Sequence, residues 1–360
     1  MKTSSPGRIC LFGEHQDYLQ LPVIAAAISL RISVEGTRRN DFMVNIALPD
    51  IGTKESFSLE SALPYVKERD YFRSCVNVLR HHGFTFSAGC DCVVRGAIPI
   101  NAGTSSSSAL VVAWICFLAW MSDQATKLPP ERLGRLAFEA EVLEFKEPGG
   151  MMDHFSTTHG GTAMISFFPE IQVQPLEARL GTFVLGDSRQ PKDTKGILKR
   201  VKNEVLQASK LLEQRHPEFS LQSATSDEIR NFSTALSREQ TDLLQATIQN
   251  RDLTREAKNI LSRTPLDDVS FGKLLNEHHR VLRDALHIST PKIDSMLNAA
   301  LRNGALGGKI NGSGGGGCMF AYAPHEPQKV ARTLENAGGK AYVVHVDTGA
   351  QVEAQEFVSS

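Results

Sequence analysis

Four consecutive serines, Ser105–Ser108, stand between the turn Pro99-Ile-Asn-Ala-Gly-Thr104 and the apolar run Ala109–Met121. Proline and glycine open a turn and the apolar run reads as a buried helix, so the serines fall at a helix N-terminus. The first backbone N–H groups of a helix have no partner within it, and the positive end of the dipole points outward there. Small side chains leave those donors accessible, and phosphate is the anion such a site suits. Serine hydroxyls also donate to phosphate oxygens or ligate a hard cation such as Mg2+. A polar loop that merely caps a buried helix has the same composition, so the stretch alone supports either reading.

Three other stretches hold reactive groups. Glu14-His-Gln-Asp-Tyr18 is a polar loop between two apolar strands, Arg8–Gly13 and Pro22–Val34, and loops at strand ends often carry function. A solvated hairpin would have the same residues. In Glu147-Pro-Gly-Gly-Met-Met-Asp-His-Phe155 two glycines allow a sharp turn and set Asp153 at the start of the next segment, as a helix cap or as a base. Glu139, Glu141 and Glu144 belong to a helical pattern over 129–147, where glutamates ordinarily face water. Gly312–Gly317 satisfies G-x-G-x-x-G, but a strand, Cys318-Met-Phe-Ala-Tyr322, follows where a dinucleotide fold requires a helix. The run instead implies backbone packed closely on another loop or a bound phosphate.

The elements that must position these groups alternate in type. Strand patterns cover 41–46, 55–59, 90–95, 162–168 and 182–186. Helical patterns cover 65–82, 196–215, 226–250, 252–262, 269–286, 291–302 and 326–337, and a last strand covers 341–346. A turn-rich join places a domain boundary near 178–182, giving lobes 1–180 and 181–360. The neighbouring His278 and His279 lie on different faces of their helix, which disfavours a metal pair.

Composition narrows the class. With 360 residues, 41% hydrophobic and 22% charged, the chain can bury a large core. A formal net charge of −1 gives no bias toward nucleic acid or anionic membrane. Cysteines at 10, 75, 90, 92, 116 and 318 form no CxxC pair and fit buried, reduced thiols in a cytoplasmic protein. The apolar run ending at Met121 is too short to span a bilayer.

In order and spacing these segments resemble the GHMP kinase superfamily, and within it galactokinases. Ser5-Pro-Gly-Arg-Ile-Cys-Leu-Phe-Gly-Glu-His-Gln-Asp-Tyr18 is similar to the galactokinase signature, and Pro99–Ala109 to the phosphate loop. Gly149–Phe155 resembles the catalytic-aspartate segment, and Lys309–Cys318 the third glycine motif. The resemblance implies an α+β fold of two lobes, the N-terminal one like ribosomal protein S5 domain 2 with a left-handed βαβ crossover, the C-terminal one ferredoxin-like. It implies an enzyme that moves the γ-phosphate of ATP to the anomeric hydroxyl of a monosaccharide, with Mg2+. Asp153 would accept the hydroxyl proton and Arg8 would hold that carboxylate ionised. Glu14, His15 and Asp17 would bind sugar hydroxyls. Gly103, Ser105, Ser106, Ser107 and Ser108 would cradle the triphosphate, Ser107 and Glu141 would hold Mg2+, and Gly314, Gly315 and Gly316 would pack near the phosphate loop. A monomer or weak homo-oligomer is expected.

Gln16 stands where galactokinases usually carry Thr, and Leu19-Gln-Leu21 replaces Asn-Gly-Gly. Pro191–Gly196 holds no counterpart of their sugar-contacting Tyr. Galactose therefore leads among aldoses, with a uronic acid also compatible. The other readings are a non-catalytic sugar and ATP sensor, which predicts a damaged phosphate loop or a missing aspartate, and a mevalonate-like kinase of another small alcohol.

Overall fold

A computed structural model describes residues 1–100, 102–191 and 194–353, with backbone alone at 194, 195, 198, 199 and 233. Most of Pro191–Gly196 thus lies outside the described side chains, and Asn101 is outside altogether.

Alternating and apolar runs in the first hundred residues build the strands β1 (Lys2–Phe12), β2 (Val23–Arg38), β3 (Met43–Leu48), β4 (Thr53–Ser58) and β5 (Cys90–Gly96). The helix α1 (Tyr71–His81) lies between the last two, starting six residues later than its apolar pattern. Next come α2 (Ser106–Met121), α3 (Pro130–Phe138), α4 (Met152–His159), β6 (Thr162–Ser166), β7 (Gln172–Pro175) and β8 (Phe183–Asp187). The short strand β7 was not anticipated. The remaining helices are α5 (Thr194–Arg215), α6 (Ser226–Asn231), α7 (Arg238–Leu261), α8 (Asp268–Asp284), α9 (Pro291–Arg302) and α10 (Pro327–Asn336). The remaining strands are β9 (Gly307–Ile310), β10 (Cys318–Tyr322), β11 (Lys340–Val344) and β12 (Gln351–Glu353).

The larger sheet runs β12-β1-β2-β5-β3-β4, with β6 on β2 and β7 on β6. The sixteen residues of β2 pair with β1 on one edge and are shared on the other by β6 at Val23–Ala26 and β5 at Ile32–Arg38, and Val23–Ile28 are buried throughout. β3 and β5 pair in parallel. The smaller sheet is antiparallel in the order β11-β8-β10-β9, which is 4-1-3-2 along the chain, the order of the ferredoxin-like arrangement. The chain passes between sheets between Pro175 and Phe183, then returns at its far end, where β12 joins β1 at Lys2–Ser4.

Two helical expectations were wrong in detail. The pattern over 226–250 is broken by capping boxes at Thr225/Glu228 and Ser237/Gln240, each reciprocally bonded, and α7 then continues unbroken through 251. The pattern over 129–147 stops at Phe138 and widens into a π-turn, Glu139–Leu143, which turns Glu141 inward to 8% exposure.

The helix α2 is apolar on every side because it is buried on every side. Val111, Val112, Trp114, Ile115 and Phe117 are fully buried, at about 1.5–3 kcal/mol for each large apolar side chain. The Trp114 indole N–H reaches the Phe72 carbonyl at 3.1 Å. This packing fixes where the N-terminus of α2 points. All six cysteines are buried, as composition suggested. No helix among the described residues is long and apolar enough to cross a membrane.

Candidate active site

The outer edge of β1 is the scaffold. β12 covers only its first residues, and beyond them other segments claim its backbone groups. The Arg8 N–H donates to the Thr104 carbonyl at 3.2 Å. The Cys10 N–H donates to Asn311 Oδ1 at 2.8 Å, and the Cys10 carbonyl accepts from Lys309 Nζ at 2.8 Å. Asn311, fully buried, also donates Nδ2 to the Gly103 carbonyl at 2.8 Å. One strand edge thereby docks the serine loop and the late glycine segment side by side. A Cβ on Gly312 would lie 2.9 Å from the Gly103 carbonyl oxygen, so only glycine allows the two loops to meet there.

A cleft of about 940 Å³ opens over this junction. Arg8, Glu14, His15, Asp17, Gly103, Ser105–Ser108, Glu141 and Asp153 all border it, so one cavity gathers the expected groups from five separate segments. The start of α2 is open to the cleft, and Ser105, which precedes it, sits in the left-handed region at φ 59°. Such a conformation in a non-glycine residue costs free energy and is kept where a loop must be held in one shape.

Arg8 is 4% exposed and joins the two reactive parts. Its Nε and Nη2 donate to Asp153 Oδ1 at 2.8 and 2.6 Å, while Nη1 donates to the Gly103 carbonyl. Burial opposes ionisation of Asp153, but the Arg8 guanidinium and Ser105 outweigh it and hold the carboxyl below its ordinary 3.8. Burial likewise opposes the charge on Arg8, and Asp153 restores it. A depressed folded-state value means the unfolded chain binds the proton more readily. The stability that Asp153 adds over an Asp153→Asn variant is therefore complete above about pH 5 and declines as pH falls through the folded-state value. Unfolding free energies of the two proteins between pH 6 and pH 3 check this; a difference independent of pH contradicts it.

The polar loop after β1 is more tightly engaged than its sequence suggested. Glu14 borders the cleft but is 1% exposed, and its Oε1 is ion-paired with the fully buried Lys309. Burial pushes its pKa up, while Lys309 pulls it down. The carboxylate expected to bind sugar hydroxyls thus borders the cleft and also anchors the loop to β9. His15 Nε2 lies 3.0 Å from the Ser313 carbonyl and must donate to it, which leaves Nδ1 to accept from the Tyr18 hydroxyl at 2.7 Å. Asp17 accepts from the N–H groups of Tyr18 and Met152 at 2.9 and 3.1 Å. Its oxygens retain lone pairs for a hydroxyl donor, and burial raises its pKa. A Cβ on Gly150 would overlap the Asp17 carboxylate, so a larger residue there would push that carboxylate aside.

Glu141 Oε2 lies 2.7 Å from Nε2 of the buried His154. His154 follows Asp153 directly, so one helical turn holds both carboxylates in place. Gly314, Gly315 and Gly316, expected to pack near the phosphate loop, are not among the residues that line the cleft. Gly314 presses on the Ile288 carbonyl, the Gly315 N–H donates to it at 2.7 Å, and Gly316 presses on the Pro191 carbonyl. Their flanks do the expected work: Gly312 abuts Gly103, and the Cys318 N–H donates to the Ala102 carbonyl at 2.7 Å. Lys309, Asn311 and His154 escaped the sequence reading, although a lysine and an asparagine inside an apolar and glycine-rich stretch were a signal.

Three family models match the chain. GHMP kinases N terminal domain covers residues 70–161, GHMP kinases C terminal covers 258–340, and the galactokinase galactose-binding signature covers 2–38. The chain belongs to the GHMP kinase superfamily. This GHMP kinase is a phosphotransferase with an alcohol group as acceptor, and the family uses ATP as phosphate donor. It is 27% identical to the mevalonate kinase of Thermococcus gammatolerans, over 95% of each chain. It is also 27% identical to the human galactokinase, over 98% of this chain and 92% of that one. Its fold superposes on Lactococcus lactis galactokinase complexed with galactose with a TM-score of 0.84 at 23% identity, over 97% of this chain and 94% of that one.

Proposed function

We propose that this GHMP kinase transfers the γ-phosphate of ATP to the anomeric hydroxyl of a monosaccharide, galactose or a related aldose. The observation that carries the reading is Asp153, joined to the phosphate loop through one guanidinium and facing the same cleft as Asp17. Phosphoryl transfer asks mainly for positioning and charge neutralisation. The N–H groups at the start of α2, with Ser105–Ser108 and Gly103, would take the triphosphate. Arg8 lies between that loop and Asp153, where it would counter charge developing on the transferred group. Because Arg8 keeps Asp153 ionised, the carboxylate is a weak base. It orients the acceptor hydroxyl and takes its proton late in the transfer. Asp17 would accept a second hydroxyl, and His15 fixes the loop that presents it. On this reading the lobes divide near residue 180, with β12 returned to the first.

Serine hydroxyls and a carboxylate are the hard oxygen donors Mg2+ prefers, and the His154 contact orients Glu141 as a supporting bond orients a ligand. The donor set fits, so Ser107 and Glu141 would hold the ion, whose charge neutralises the β- and γ-phosphates. Replacing Glu141 by Ala is expected to raise the Mg2+ concentration for half-maximal turnover at least about tenfold, and a magnesium titration of ADP release reads this directly. An unchanged requirement removes Glu141 from the ion's shell.

Coupled ADP release across a panel of aldoses, uronic acids and mevalonate tests the function. Mevalonate belongs in the panel because the Thermococcus relative is as similar as the human galactokinase. Turnover with mevalonate and with no sugar would overturn the reading.

A further inference from the structure

The segment from Gly13 to Tyr18 carries the groups assigned above to the acceptor; besides the side-chain contacts to Lys309, Ser313 and Met152, its backbone bonds are local. The Gln16 N–H reaches the Gly13 carbonyl at 3.2 Å, and the N–H groups of Leu19 and Leu21 both reach the Gln16 carbonyl at 3.0 Å. A second set of bonds comes from α7, more than 200 residues away in sequence. Asn250, 1% exposed, donates Nδ2 to the Glu14 carbonyl at 2.8 Å. Gln16, fully buried, donates Nε2 to the Thr247 carbonyl at 3.0 Å. The two bonds run in opposite directions, helix side chain to loop backbone and loop side chain to helix backbone. Thr247 and Asn250 lie three positions apart and so share one helix face.

Both amides are only half satisfied. Gln16 Oε1 and Asn250 Oδ1 are buried without a hydrogen-bond partner. A buried acceptor left unpaired costs stability, and a pair of leucines would avoid that cost. Two primary amides at a site where apolar side chains would pack more cheaply imply that the retained feature is the geometry they impose on the loop.

We propose that Asn250 and Gln16 are positioning residues that clamp the acceptor loop to α7, fixing where Asp17 and His15 stand relative to Asp153. The inference rests on the reading that this loop binds the acceptor. The clamp grips the side of the loop facing the second half of the chain, and the phosphate loop takes no part in it. Its loss should therefore weaken the acceptor and spare ATP.

The test uses Asn250→Leu and Gln16→Leu in the full chain. Each removes one orphaned oxygen; Asn250→Leu also takes a donor from the Glu14 carbonyl, while the Thr247 carbonyl keeps its place in the α7 ladder, so the thermal midpoint should hold within a few degrees. KM for the phosphorylated alcohol is expected to rise about 10- to 100-fold, while KM for ATP stays within about twofold. Hydrogen exchange on the ligand-free protein should accelerate at the amides of Gln16, Leu19 and Leu21 and remain unchanged along α2. An unchanged acceptor KM, or acceptor and ATP KM rising together, overturns the clamp, as does unchanged exchange at these amides. Should the wild type phosphorylate no monosaccharide, the proposed function falls, while the exchange measurement still decides the clamp.

Discussion

Replacing Asp153 by Asn is expected to lower kcat about 10^3-fold while ATP affinity changes less than about threefold. On the proposed function the carboxylate that Arg8 holds beside the phosphate loop would take up the proton of the acceptor alcohol, which an amide cannot do. ATP binding is spared because the groups that would grip the triphosphate, the N–H donors of α2 and the serine hydroxyls, are untouched. Arg8 keeps its bond to the Gly103 carbonyl, so the loop does not come adrift. Single-turnover ADP release, with nucleotide titration as the companion measurement, reads both quantities. A variant that retained more than a tenth of wild-type turnover would remove Asp153 from the chemistry.

The second large effect concerns stability. Lys309→Met is expected to cost about 3–5 kcal/mol of unfolding free energy, because it strands the Glu14 carboxylate in the interior without its countercharge. Lys309 has a full set of acceptors, Glu14 Oε1 and the carbonyls of Cys10 and Ile310, so its loss also frees the edge of β1 from β9. Adding Glu14→Gln removes the stranded charge, and the double variant should recover more than half of the loss. Denaturant unfolding of the two single variants and the double variant gives the coupling directly. A loss of less than about 1 kcal/mol for Lys309→Met would mean that the charge finds another partner.

Local chemistry was what the sequence displayed well. The serine run before an apolar stretch placed the open helix N-terminus, because capping and burial depend on neighbours along the chain. The acidic loop and Asp153 stood out because charge between apolar strands is conspicuous. Long-range pairing was hidden. Nothing in Glu14 announces Lys309, which lies 295 residues later and ties the loop to β9. Nothing in Gln16 announces α7 either. The resemblance places the run Gly314–Gly316 near the phosphate loop, but its contacts are set by the turn after α8, at Ile288. The T-x-x-E and S-x-x-Q spacings at Thr225 and Ser237 mark helix starts that the continuous apolar pattern over 226–250 hides.

The return of β12 to β1 bears on how the molecule is made. Arg31 binds Asp347, Thr348 and Gly349 through its guanidinium, clipping the last stretch beside the first strand. β12 follows β1 by more than 300 positions, so until that later stretch has been made the Lys2–Ser4 border of β1 stands unpaired, a template on which a stray strand could settle.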